Sequence, residues 1–103
     1  MHATLTTTRG SNEDMAGLAV MAGEAMVEWL RDIDGFHGLV MLTDQETGTT
    51  RVIGFWESEE VARRHRAARL RLGGHITATL NIEVHETESY DVSFAQLPRL
   101  TAP

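Results

Sequence analysis

The sequence predicts an α+β chain folded as a ferredoxin-like βαββαβ plait, an antiparallel four-stranded sheet with two helices on one face. Three observations carry this. The runs Leu39-Val40-Met41-Leu42 and Val52-Ile53-Gly54-Phe55-Trp56 flank a turn and are apolar at successive positions. A stretch with apolar residues at helical spacing lies before this pair and another after it. Strand-like stretches open and close the series. Because successive strand side chains point to opposite faces, both faces of the central pair need cover. Two helices can cover one face. With 103 residues there is room for one domain, so the simplest cover for the other face is a second copy of the chain.

Each element has its own signals. Residues 2–9, HATLTTTR, are rich in Thr and read as a first strand that Gly10 ends. Ser11 with Asp14 resembles a capping box for a helix running to about Asp32. Met15, Leu18, Ala22, Met26, Trp29 and Ile33 form its apolar stripe. Asp34-Gly35 closes that helix, and a strand follows from about Gly38 to Thr43. Asp44 to Gly48 turns the chain, with Gly48 free to take positive φ, into a strand from about Thr50 to Trp56. Ser58 is a good N-cap, and Glu59 and Glu60 suit the first turn of a second helix. Glu59 with Arg63 and Glu60 with Arg64 are i,i+4 pairs of the favourable orientation. Val61, His65, Ala68 and Leu72 share its inner face until Gly73-Gly74 breaks it. A last strand spans about Ile82 to Phe94, with Tyr90 at inward-looking parity. Glu86 and Glu88 interrupt its apolar parity, which a bulge or an exposed middle would explain. Residues 1–95 make the domain, and 96–103, with two Pro, a tail.

Composition limits the function. The formal net charge of −6 argues against nucleic acid as a partner. No run of about 18 apolar residues is present, so no membrane span is expected. The start of the chain lacks a signal-peptide profile, which makes a cytoplasmic protein the default. With no Cys, thiol chemistry and thiolate metal sites are excluded. His85 with Glu86 and Glu88 does not make a metal site, because strand alternation separates His85 from the acids. All nine cations other than His are Arg, and five lie between Arg63 and Arg71. That cluster can bind an anionic ligand or partner, or form a solvated helix face paired with Glu59 and Glu60.

Several residues can carry chemistry, each with a plainer alternative. His65, on the inner face of the second helix, can accept a proton from a phenol, or be a hydrogen-bonded core His. His75, after the Gly-Gly break, can meet a ligand, or sit on the surface at a helix end. Tyr90 can orient a substrate hydroxyl, or pack with one hydrogen bond. Arg51, with the parity of Ile53 and Phe55, can bind an oxyanion, or pair with an acid. Trp29, Trp56 and Phe55 can line a site for planar molecules, or pack the core.

The element order, the DGFHG lead into the second strand and the FWESEE exit from the third resemble the antibiotic biosynthesis monooxygenase-like family. The resemblance covers residues 1 to about 94, with Asp34 where family members commonly carry Pro. It implies a dimeric α/β barrel, a homodimer with a pocket between sheet and helices. It also implies three candidate functions. The first is cofactor-independent monooxygenation of an aromatic or polyketide-type substrate by molecular oxygen. Here His65 or His75 would be the base, Tyr90 and Arg51 the donors, and Trp29, Trp56 and Phe55 the walls. The second is haem binding or degradation. The haem-degrading branch has an Asn where this chain has Ala3, and a helical Trp where it has His65, while His75 falls near the ligand position. The third is a non-catalytic dimeric accessory protein, its pocket filled by some of the five Met.

Overall fold

A computed structural model describes residues 1–9, 15–71 and 83–96 of the chain. The elements are β1 (His2–Arg9), α1 (Met15–Leu30), β2 (Phe36–Asp44), β3 (Thr49–Trp56), α2 (Glu59–Arg64) and β4 (Glu83–Asp91). The four strands form one sheet in the order β2-β3-β1-β4. β1 lies antiparallel between β3 and β4, and β2 antiparallel to β3. This is the plait that the sequence predicts.

The register sorts the sheet into two faces. Phe36, Trp56, His2 and Asp91 share one row, and Leu39, Gly54, Thr4 and Ser89 the next. Both helices pack on this side. α1 is close enough that a Cβ on Gly23 would lie 3.0 Å from Met41 Sδ. Leu30 of α1, Val61 and Ala62 of α2, and Trp56 make the core, with Met26, Ile33 and Phe36 against it. Trp56, 1% exposed, is its centre. Phe36 meets its ring edge-on at 5.3 Å. The other face carries Ala3, Leu5, Val40, Leu42, Arg51, Ile53, Phe55 and Tyr90.

Local chemistry explains where the elements start and stop. Ser58 Oγ accepts from Val61 N at 3.2 Å, the expected N-cap. Arg63–Glu59 and Arg64–Glu60 close at 3.2 and 3.1 Å. Gly35 takes φ 92°, and a Cβ there would fall 2.9 Å from Val61 Cγ1, so the turn into β2 needs glycine twice over. Gly48 in the β2–β3 turn has φ 68°. A register shift in β4 opposite Thr7/Thr8 is a bulge, one of the two explanations that the interrupted parity allows.

Three expectations change. The second helix pauses earlier than Gly73-Gly74: α2 ends at Arg64, His65 caps it with φ −100° and ψ 8°, and helical residues 66–71 follow. The α1 stripe runs through Ala22, Met26 and Leu30, and Trp29 stands 40% exposed on its flank. An i±4 ridge crosses the helix axis obliquely, so contact along it carries the chain past Trp29 to Leu30. Tyr90, expected inward, pairs with Ala3 on the face away from the helices and is 51% exposed. A one-residue slip inverts side-chain parity, so parity counted through the bulge misplaces it. The proposed capping box at Ser11 and Asp14, the Gly-Gly break and most of the 96–103 tail lie outside the described residues.

Candidate functional site

The helix-facing side of β1 and β3 gathers polar groups around Trp56. Trp56 Nε1 donates to Thr4 Oγ1 at 3.2 Å, since a buried indole N–H needs an acceptor. Gly54 leaves room for this: a Cβ there would sit 3.1 Å from both atoms. Arg69 closes the group from the helical stretch after α2. Its guanidinium carbon lies 5.0 Å from the Trp56 ring centroid, Nη2 donates to Ala62 O at 2.8 Å, and Nη1 reaches Thr4 Oγ1 at 3.4 Å.

Two groups here are left with something to give. Arg69 Nε is buried and has no hydrogen-bond partner. Among the described residues no carboxylate lies within ion-pair distance of this guanidinium. Desolvation by burial, with repulsion from Arg66 second, holds the Arg69 pKa below its ordinary value. Thr4 Oγ1 faces two N–H donors, so both acceptor lone pairs are engaged and its own O–H is free to donate. A half-buried cation and a free hydroxyl donor side by side suit an anionic oxygen.

His65 stands four residues from both Val61 and Arg69, on their side of the helix. Its backbone joins them, with His65 N to Val61 O at 3.3 Å and Arg69 N to His65 O at 2.9 Å. The ring is half-buried and makes no hydrogen bond among the described residues. A second imidazole, His2, sits in the same row as Trp56 with both nitrogens engaged.

Of the residues singled out in the sequence, Trp56 is the centre of this group, and His65 caps α2 one turn before Arg69. Arg51, Phe55 and Tyr90 lie on the opposite face of the sheet, Trp29 flanks α1, and His75 lies outside the described residues. Arg69, read only as one member of the Arg63–Arg71 cluster, is the main addition. Its spacing from His65 was the available signal. Thr4 and His2 were legible only as strand residues. Among the described residues no group of three ligating side chains could hold a metal ion. No helix among them is long and apolar enough to cross a membrane.

The fold is that of the antibiotic biosynthesis monooxygenases. A Deinococcus radiodurans structure described as a candidate antibiotic biosynthesis monooxygenase is 15% identical, with 93% of this chain and 96% of that one covered at a TM-score of 0.69. A variant of SnoaB, a cofactor-independent oxygenase from Streptomyces nogalater, is 15% identical over 95% of this chain and 98% of its own, with a TM-score of 0.64. The monooxygenase ActVA-Orf6 of Streptomyces coelicolor, solved with nanaomycin D, is 19% identical over 94% and 90%, with a TM-score of 0.62. No family model and no curated protein matches the sequence.

Proposed function

We propose that the chain is a cofactor-independent monooxygenase acting in the cytoplasm, which uses molecular oxygen on a phenolic, polyketide-type aromatic. The observation that carries this is the Arg69 guanidinium, half-buried on Trp56 with its Nε–H unpartnered. A phenolate or enolate supplies the negative oxygen that this group lacks. The fold shared with a cofactor-independent oxygenase and with a monooxygenase solved with nanaomycin D supports the same reading.

The chemistry asks little of the protein. His65 takes the proton that forms the substrate anion. Arg69 and the Thr4 hydroxyl hold the anionic oxygen and lower the cost of forming it. The electron-rich ring carbon then passes an electron to oxygen, the radical pair combines to a peroxide anion, His65 returns its proton to give the hydroperoxide, and loss of water leaves a carbonyl. One oxygen atom enters the product and one leaves as water. Trp56 supplies an aromatic wall. The haem reading would rest on His75, outside the described residues, or on His65, which serves here as the base.

Oxygen uptake with an anthrone-type substrate tests the assignment. His65→Gln is expected to lower kcat by about a hundredfold or more, and Arg69→Met by a similar factor with a raised KM. Unchanged turnover in both variants would remove the assignment.

A further inference from the structure

His2 is not used by this chemistry, yet it is the most deliberately placed imidazole among the described residues. It is 4% exposed although it stands one residue from the start of the sequence. Nδ1 lies 3.1 Å from Asp91 Oδ1, and Nε2 is hydrogen-bonded to Ser89 Oγ. The backbone sets this up. Ser89 and Asp91 are two apart on β4 and share a face. The register sets Asp91 opposite His2 and Ser89 opposite Thr4, so the imidazole bridges the two.

We infer that Ser89, His2 and Asp91 form a nucleophilic relay, with Ser89 as an acyl acceptor for small aryl esters. The carboxylate of Asp91 accepts Nδ1–H, which fixes the tautomer and leaves the Nε2 lone pair facing the Ser89 hydroxyl. This is the nucleophile, base and orienting-acid arrangement that activates a serine. Exposure suits the roles: the Ser89 and Asp91 side of the group is open to solvent and the base is buried. β4 is also an edge strand among the described residues, where alternate N–H groups along it have no strand partner and can donate to an acyl oxygen. An aryl ester suits the site because its phenolate leaves readily.

In the acylation step the Ser89 proton moves to His2 Nε2 and an Oγ–C bond forms. The ester C–O bond breaks, and the phenol leaves with the proton from His2. Water then attacks the acyl-serine, His2 takes its proton, and the acid is released with Ser89 restored. Ser89 and His2 are catalytic, and Asp91 is a positioning residue. The inference stands apart from the oxygenase reading, which uses neither Ser89 nor Asp91.

The experiment treats the whole chain with p-nitrophenyl acetate and follows phenolate release, intact mass and the site of the adduct. The expected result is one acetyl group on Ser89, absent in Ser89→Ala and formed at least about tenfold more slowly in His2→Gln. Asp91→Asn, a change at an exposed side chain, is expected to slow acylation with an unchanged thermal midpoint. It should also abolish the exchange-protected Nδ1–H proton signal of His2. Acetyl groups confined to the terminal amine or other sites, or wild-type rates in both His2→Gln and Asp91→Asn, would overturn the relay. Oxygen uptake is expected to persist in Ser89→Ala, which keeps the two readings separable.

Discussion

Arg69 separates stability from function at a single position. Its charge is half-buried with no carboxylate among the described residues to offset the cost. Replacing such a group by an apolar one of similar length is often neutral or stabilising. Arg69→Met is therefore expected to unfold within about 1 kcal/mol of wild type, or above it, in urea titrations, while ligand-induced stabilisation disappears. A loss of about 3–5 kcal/mol would instead mark the guanidinium as structural. Gly35 gives the opposite case. Positive φ and the Val61 contact both oppose a side chain there. Gly35→Ala is expected to cost about 2 kcal/mol or more, read as a fall in thermal midpoint. Gly54→Ala is expected to break the Trp56–Thr4 hydrogen bond, seen as a shift of the indole N–H resonance.

The elements show which parts of the sequence spoke clearly. Signals that act within four residues were legible: the Ser58 cap, the two Glu–Arg pairs and the glycines of the turns. Ser58→Ala is expected to lower stability by about 1 kcal/mol, with chemical denaturation as the check. The turning point at His65 was not legible. A Gly-Gly pair reads as a breaker, whereas the pause at His65 is tied to groups that local sequence does not reveal. There the Ala62 carbonyl takes Arg69 Nη2, and the guanidinium itself lies on Trp56 of another element. Burial of Arg69 is a tertiary fact, invisible to helical periodicity. The same holds for His2. The plait order does place the start of β1 beside the end of β4, so the meeting of His2 with Asp91 was derivable, while the bond to Ser89 needed the register. Tyr90 was misplaced for the converse reason, since one bulge inverts every parity counted through it.

At the scale of the whole molecule, the sheet has one face under helices. The other carries Leu5, Val40, Leu42, Ile53, Phe55 and Tyr90. A second copy of the chain is the proposed cover, and this gives Arg51, Phe55 and Tyr90 a role at an interface. Sedimentation is expected to report twice the 11.4 kDa chain mass. Phe55→Asp would place a charge in that apolar surface and shift the protein to single chains. A wild-type species sedimenting as one chain at micromolar concentration would remove the dimer.

The bond between His2 and Asp91 joins residues 89 apart, and β1 is an inner strand with β4 on its far side. Among the described strands, the first in sequence is thus completed by the last. Until Asp91 emerges, one flank of β1 carries bare amides. Closing so long a loop costs entropy before any contact rewards it, so assembly should be slow and late for a domain of this size. It also means that Ser89, His2 and Asp91 meet solely in chains that have finished folding. A serine-directed covalent probe would then count finished molecules during synthesis.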